Sequence, residues 1–253
     1  MNNITTESNN KKEPLEILEF KNVSFGYSDQ KMILKNVNLK FSKGKTYALV
    51  GPTGGGKSTT AGLMVRLYDP QEGVIEFKNK DIRSYEPAEL SNGIGFILQE
   101  PFLFTGSIAQ NIAYGNADFE EISETELEMF LDSMGLIKLL EKFEDGLSTQ
   151  VNDNSENISL GQKQLVAFMR ILLRKPELLI MDEATANIDT VTEQYLNEII
   201  SKLPKETTKI VIAHRLNTIR DADEIIFINA GKVKPSMSFD EALHLIDSSK
   251  RTS

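Results

Sequence analysis

The sequence predicts an α/β fold with a mainly parallel β-sheet core, preceded by an N-terminal antiparallel β subdomain and interrupted by an inserted α-helical subdomain. Three observations support this prediction. A glycine-rich loop joins a short apolar run to a helical pattern near residue 51, apolar runs alternate with helical patterns after residue 175, and helical patterns dominate between roughly residues 100 and 174. Apolar strands that alternate with helices are typical of parallel sheets covered on both faces.

The N-terminal region divides into a polar arm and two strand patterns. Residues 1–14 are rich in asparagine and lysine and have little to bury, so we expect a disordered arm or a linker. Apolar residues recur in strand period over residues 18–25 and 33–41, which predicts an antiparallel, hairpin-like opening. Tyr27 lies on the turn between the two runs. Its ring could stack on a purine base, or it could be an ordinary surface residue.

The glycine-rich loop fits the pattern G-x-x-x-x-G-K-[ST], between an apolar run over 47–50 and a helical pattern over 59–67. Glycines let successive backbone N–H groups surround a phosphate, and the start of the helix adds partial positive charge. Lys57 would bind β- and γ-phosphate oxygens, and Ser58 would offer a hydroxyl to Mg²⁺. The core is therefore predicted to be a P-loop NTPase of the RecA-like type, and the alternative is a glycine-rich turn with an accidental lysine. The candidate nucleotide-binding residues of this segment are Gly51, Pro52, Thr53, Gly54, Gly55, Gly56, Lys57, Ser58 and Thr59.

Four polar residues follow apolar strand patterns directly and are expected at one edge of the sheet. Asp182 and Glu183 follow the run 178–181, so Asp182 is placed to hold a water of the Mg²⁺ shell and Glu183 to polarise an attacking water. Gln99 follows the run 94–98, at the strand end where open α/β sheets bind ligands. His214 follows the run 209–213 and could contact the γ-phosphate. Taken singly, each also fits a surface acid, a loop glutamine or a satisfied histidine.

Composition limits the possible functions. A chain of 253 residues with 40% hydrophobic and 26% charged residues is ordinary for a globular domain. The net charge of −9 disfavours a nucleic-acid partner, and the lack of cysteine excludes disulfides, thiolate catalysis and zinc ribbons. The sequence shows neither an apolar run of the ~18 residues that span a bilayer nor a signal sequence. We therefore expect a soluble, cytosolic chain that reaches a membrane through a partner or through a segment outside this sequence.

The middle of the chain is predicted to form the helical subdomain. Helical patterns cover residues 125–134, 136–143 and 162–173 and are separated by polar loops. We expect one domain over residues 15–248, with its core at 15–99 and 175–248, the helical subdomain at 100–174, and a tail at 249–253.

Taken together, these motifs resemble the nucleotide-binding domain of ABC transporters over residues 15 to about 231. The family's motifs occur in its order and comprise an A-loop aromatic (Tyr27), Walker A (51–58), the Q-loop (Gln99), the signature (158–162), Walker B (178–182) with Glu183, the D-loop (186–189) and the switch histidine (His214). Residues 99–112 and 182–185 resemble the exporter branch.

The resemblance implies an ATPase that acts as a head-to-tail dimer. ATP and Mg²⁺ would lie between Walker A of one subunit and the signature of the other, and the partners would be a second nucleotide-binding domain, identical or different, and transmembrane domains. The chain would then sit on the cytoplasmic side of the membrane, with no nucleic acid expected.

The resemblance also implies a role for each site residue. Tyr27 would stack on adenine, Lys57 would bind phosphates, Glu183 would be the base and His214 the γ-phosphate contact. Mg²⁺ would be held by Ser58, Gln99 and, through water, Asp182. The residues acting on the partner's ATP would be Ser159, Leu160, Gly161, Gln162 and Asp189.

The chain departs from the family's pattern at three places. The signature Leu-Ser-Gly-Gly-Gln is replaced by Ile-Ser-Leu-Gly-Gln, so Leu160 stands where the family has glycine. A leucine with positive φ would cost roughly 1–2 kcal/mol, whereas one with negative φ would be harmless. Residues 149–155 depart from Thr-Glu-Val-Gly-Glu-x-Gly, and the family's glutamate and glycine shortly after Gly231 are missing. Two alternatives stay open: a nucleotide-gated regulatory module with a weak composite site, and a non-transport ATPase of the same superfamily.

Overall fold

The structure is a computed structural model that describes residues 16–28, 31–119, 121–182, 188–213 and 219–250. The arm predicted over 1–14 and the last three residues lie outside these ranges, as do Glu183, His214 and the first two residues of the D-loop. The described part contains a four-stranded and a six-stranded sheet, a two-stranded ladder, and helices packed around them. The predicted α/β class is confirmed.

The four-stranded sheet is antiparallel and has the order β2-β1-β4-β5. Its strands are β1 (Glu16–Phe25), β2 (Leu34–Ser42), β4 (Glu72–Phe77) and β5 (Lys80–Asp81). In the register, Phe20 of β1 lies opposite Leu39 of β2 and Ile75 of β4. The antiparallel opening is thus confirmed, and β4 joins it from beyond the glycine-rich loop.

The six-stranded sheet has the order β12-β11-β3-β10-β9-β6, in which β12 alone runs antiparallel to its neighbour. Its strands are β3 (Thr46–Val50), β6 (Ile94–Ile97), β9 (Leu178–Asp182), β10 (Thr208–Ile212), β11 (Glu224–Asn229) and β12 (Lys232–Met237). The first four residues of β9 are all buried, as expected for a parallel strand covered on both faces. The mainly parallel core is confirmed.

Seven α-helices have bounds that the described ranges contain in full. They are α1 (Lys57–Met64), α2 (Pro87–Gly93), α3 (Ile108–Ala113), α4 (Glu124–Ser133), α5 (Leu160–Leu173), α6 (Thr190–Ser201) and α7 (Phe239–Lys250). The helix predicted over 59–67 ends earlier, because Arg66 has a left-handed φ of 58°. None of the helices in the described ranges has both the length and the apolarity needed to cross a membrane.

The region between residues 100 and 174 contains α3, α4, α5 and several short turns. The helical pattern over 136–143 is confirmed as a helix at Ile137–Lys142, and this helix is of the 3₁₀ type, in which amides bond to carbonyls three residues back. Leu139, Leu140 and Phe143 are buried and pack into the core of this region. Strands β7 (Gly106–Ser107) and β8 (Gln150–Val151) pair and join the start of the region to the segment before α5.

Candidate functional site

The parallel strands bring Asp182, the start of the glycine-rich loop and the strand before Gln99 to one edge of the sheet. Leu49 of β3, Ile212 of β10 and Asp182 of β9 lie side by side in the register. Met181 of β9 likewise lies beside Ile97 of β6. Neighbouring strands are about 4.8 Å apart, so Asp182 lies roughly 10 Å from the end of β3, where the glycine-rich loop begins.

The glycine-rich loop has backbone dihedral angles that residues other than glycine rarely adopt. Gly51, Gly54 and Gly56 have φ values of 143°, 74° and 110°. A Cβ on Gly51 would lie 2.1 Å from the carbonyl oxygen of Ile228, and one on Gly55 would lie 2.8 Å from the same atom. The close approach of β11 therefore requires glycine at both positions.

Lys57 is the first residue of α1 and is 5% exposed. Its Nζ donates to the carbonyl oxygens of Gly51 and Pro52, at 2.9 and 3.0 Å, so the ammonium lies inside the curve of the loop. The next residue, Ser58, is exposed, and the first turn of α1 contains no acidic side chain. The positive end of the helix and one ammonium therefore lie in the same loop, an arrangement suited to phosphate.

Tyr27 is 60% exposed, yet its ring is fixed on several sides. Its hydroxyl lies 3.1 Å from Oγ1 of Thr59, on α1. The ring packs edge-on against Phe25 and Tyr68, with centroids 5.3 Å away in both cases. An exposed aromatic ring held next to the glycine-rich loop is suited to stacking on a base. Sequence reasoning missed Phe25 and Tyr68 as its supports, because no motif contains them.

The three oxygen donors predicted for Mg²⁺ fit that ion by their chemistry. Asp182 is the last residue of β9 and is partly buried, while the side chains of Gln99 and Ser58 are exposed. A carboxylate, an amide oxygen and a hydroxyl are the hard ligands that Mg²⁺ prefers, with phosphate oxygens completing its shell. No group of three or more His, Cys, Asp or Glu side chains that could hold a metal occurs within the described ranges.

The signature segment begins a helix rather than a strained loop. Ser159 is the N-cap of α5, where its Oγ accepts from the amide of Gln162 at 3.2 Å, and the side chain of Gln162 accepts in return from the amide of Ser159 at 2.9 Å. Leu160 and Gly161 are the first two residues of α5, and Leu160 is not among the residues with positive φ. Leucine at this position therefore carries no backbone strain.

The segment before the signature does carry a strained residue. Asn154 and Ser155 have φ values of 65° and 49°, whereas Asn152 has −75°. The family's pattern has glycine at the positions of Asn152 and Ser155. The backbone favours glycine only at Ser155, where an L side chain is disfavoured.

Asp189 and the signature are linked through Lys142. Asp189 caps α6, and hydrogen bonds from the hydroxyl and amide of Thr192, followed by that from Lys142 at 3.1 Å, lower the pKa of Asp189 to about 2. The carbonyl oxygen of Lys142 accepts from Nε2 of Gln162 at 2.6 Å. Sequence reasoning missed Lys142, because the contact joins three segments that are distant in sequence.

Comparison with known proteins identifies relatives over almost the whole chain. The family described as ABC transporter matches residues 34–186. The ABC transporter ATP-binding protein YfiC of Bacillus subtilis is 41% identical over 226 residues, which are 89% of this chain and 37% of that protein. The ATP-dependent lipid A-core flippase of Pasteurella multocida is 42% identical over 229 residues, 90% of this chain and 39% of that protein.

A solved structure agrees with these matches. The structure of a bacterial Atm1-family ABC exporter with ATP bound superposes with a TM-score of 0.81 at 32% identity, over 95% of this chain and 42% of that one. The chain thus spans well under half the length of each of these relatives.

Proposed function

The chain belongs to the ABC transporter family and contains its ATP-binding domain, and on that premise we propose that it binds and hydrolyses ATP to drive an exporter. The observation that carries the proposal is the backbone of the glycine-rich loop, closed around the ammonium of Lys57 at the start of α1. Asp182 at the same edge of the sheet adds the acidic group that ATP hydrolysis requires. Its domain division is proposed as core 15–99 and 175–248 with the helical subdomain between.

In this proposal each residue has one task at the nucleotide. Tyr27 stacks on the adenine, and the amides of the glycine-rich loop with Lys57 hold the β- and γ-phosphates. Ser58, Gln99 and, through water, Asp182 hold Mg²⁺, which neutralises charge on the phosphate oxygens when bound. Glu183 takes a proton from the attacking water, and His214 contacts the γ-phosphate.

The second half of the site is proposed to come from another copy or a related domain. The start of α5 presents Ser159 and the amides of its first turn, and Asp189 is tied to it through Lys142. This pair of elements suits contact with the ATP of a facing subunit. The regulatory alternative rested on the altered signature, and the helical backbone at Leu160 shows that this alteration brings no backbone strain.

An exposed apolar cleft supports docking to transmembrane domains. The cleft has a volume of 570 Å³ and is lined by Leu98, Phe102, Phe104 and Tyr114, with Phe102 67% exposed. It lies beside Gln99 and therefore next to the proposed nucleotide site. We propose that a cytoplasmic segment of the transmembrane partner binds here and holds the chain at the cytoplasmic face of the membrane, as the exporter and flippase among its relatives suggest.

The cleft is also joined to the loop before the signature. Oγ1 of Thr105 donates to Oδ1 of Asp153 at 2.9 Å, and β7 pairs with β8 immediately alongside. Movement of the docked segment would reach the start of α5 through these contacts. The unusual sequence of this loop therefore does not remove the physical connection that coupling needs.

ATP-driven dimerisation tests the proposal. The wild-type chain is expected to hydrolyse Mg·ATP, and Glu183→Gln is expected to form a stable dimer in Mg·ATP, because closure would persist without hydrolysis. Light scattering after size exclusion measures the dimer. The double variant Lys57→Ala/Glu183→Gln is the control and is expected to remain monomeric. A Glu183→Gln chain that stays monomeric at saturating Mg·ATP would contradict the proposed mechanism.

A further inference from the structure

Gln164 is a fully buried amide on the apolar face of α5. It is 0% exposed, and the residues that follow it, Leu165 and Val166, are buried as well. Burying a primary amide among apolar side chains costs free energy unless its hydrogen bonds are recovered. The position therefore calls for a reason beyond packing.

The amide recovers only part of its hydrogen bonding. Nε2 of Gln164 donates to the main-chain carbonyl oxygen of Gln99 at 3.0 Å. Its Oε1 is buried and has no hydrogen-bond partner among the residues that the structure describes. An apolar side chain of similar length would avoid this desolvation, so fold stability alone does not account for a glutamine here.

The carbonyl that Gln164 holds lies at a junction of the chain. Gln99 is two residues beyond the end of β6, where the chain leaves the sheet for the helical region. Helix α5 packs closely on β6, since a Cβ on Gly95 would lie 2.4 Å from Cγ2 of Ile171. The hydrogen bond from Gln164 extends this contact to the first residues of the loop.

The same hydrogen bond starts from the helix that carries the signature. Gln164 lies one turn inside α5, and the reciprocal bonds between Ser159 and Gln162 fix the start of that helix. In the proposed function, Gln99 serves the chain's own Mg²⁺ and Ser159 serves the ATP of the facing subunit. Gln164 thus connects Gln99, through a hydrogen bond, to the helix that Ser159 caps, and in the proposed function these two residues act on different nucleotides.

We propose that Gln164 is a positioning residue that fixes Gln99 relative to the signature helix. Movement of α5 against the sheet then moves the loop that carries the Mg²⁺ ligand, so that the two composite sites are coupled within one subunit. The inference rests on the proposed function for the identity of the ligand. The hydrogen bond itself is independent of it.

Two apolar substitutions remove the donor while keeping the site filled. Gln164→Met is unbranched and of similar length, and Gln164→Leu has a different shape, so a defect common to both is assigned to the lost donor. Gln194→Met, on the exposed face of α6, is the matched control. We expect the melting temperature of both variants to equal or exceed that of the wild type. We also expect the Mg²⁺ concentration for half-maximal hydrolysis to rise at least fivefold, with ATP affinity in EDTA unchanged.

Hydrogen exchange gives a readout that does not need activity. Amides of residues 99, 100 and 102–104 are expected to exchange at least fivefold faster in Gln164→Met than in the control. The inference would be overturned if both variants showed the same amide exchange and the same Mg²⁺ dependence as the wild type. It would also be overturned if their melting temperatures fell by more than about 5 °C, since the role of Gln164 would then be structural. A wild-type chain without hydrolysis would instead contradict the proposed function, while the exchange result would still decide the role of Gln164.

Discussion

The glycine-rich loop and the signature segment are both expected to contact the phosphates of ATP, but they are built in different ways. In the glycine-rich loop the main chain passes against the carbonyl oxygen of Ile228, and positive φ values exclude ordinary side chains. In the signature segment a side-chain cap by Ser159 starts a regular helix, and the leucine at position 160 has an ordinary helical backbone. The conformation of the glycine-rich loop therefore depends on residues without side chains, whereas that of the signature segment depends on a side-chain cap.

This difference predicts that a departure from the family's pattern would have different consequences for stability in the two regions. A missing glycine is harmful where φ is positive or where another backbone lies within contact distance. It is tolerated where the residue merely opens a helix, as Leu160 does. A motif therefore has to be judged by the backbone at each of its positions, and not by the count of matching letters.

The largest expected effect comes from comparing two glycines of the same loop. Gly51→Ala should lower the free energy of unfolding by about 3 kcal/mol or more, because its Cβ would clash with the carbonyl oxygen of Ile228. Gly54 has positive φ but nothing within 4 Å of a Cβ, so Gly54→Ala should lose only about 1–2 kcal/mol. Urea denaturation measures both. Equal losses would show that backbone strain, and not the contact with β11, determines this loop.

A smaller effect is expected when the family's glycine is restored in the signature. Leu160→Gly should lower the free energy of unfolding by about 0.5–1 kcal/mol, since glycine weakens a helix and no strain is relieved. The measurement is again urea denaturation, with Leu160→Ala as the control for the lost side chain. If Leu160→Gly proved more stable than the wild type, the helical backbone assigned to this position would be wrong.

Two substitutions in the loop before the signature are expected to have different effects on the free energy of unfolding. Ser155→Gly should raise the free energy of unfolding by about 0.5–1 kcal/mol, because Ser155 has a φ of 49°. Asn152→Gly should bring no gain, since Asn152 has a φ of −75°. Thermal melts of the two variants test this directly. The opposite order would contradict the backbone described for residues 152–155.

The smallest effect concerns pH and the cap of α6. The pKa of Asp189 is lowered from 3.8 to about 2, so its ionised form stabilises the folded chain fully above pH 3.8 and loses that effect as the pH falls through about 2. The wild type should therefore be more stable than Asp189→Asn near pH 5, and the difference should shrink on acidification. Chemical denaturation at several pH values follows this difference. A gap that stays constant down to pH 2 would contradict the cap and its pairing with Lys142.

Most of the fold could be predicted because its signals are local. The apolar runs before Asp182 and Gln99 predicted two buried strands, and the register places both at the expected edge of the sheet. The pairing of β4 with β1 could not be predicted, since it joins segments on either side of the glycine-rich loop. The helix at Ile137–Lys142 was predicted, but its 3₁₀ type was not, because its buried residues keep the spacing of an α-helix.

In the candidate site, the residues within motifs could be predicted, whereas the contacts between distant segments could not. Motif spacing predicted the residues of the glycine-rich loop. The φ angle at Leu160, however, depends on where α5 begins, and the motif alone does not give that position. Lys142 and Gln164 escaped detection because their hydrogen bonds join segments that are distant in sequence, two bonds in the case of Lys142 and one in the case of Gln164. Such contacts exist only once the chain has folded.

The most direct test of the proposed site is a spectrum of the backbone amides of residues 54–58 with and without Mg·ATP. If phosphates are held by these amides, their resonances should shift with Mg·ATP and also with inorganic tripolyphosphate, and Lys57→Ala should abolish both responses. Resonances of β4, on the antiparallel sheet, serve as the internal control. Unchanged amides at residues 54–58 in the presence of saturating Mg·ATP would contradict the nucleotide site proposed for this loop.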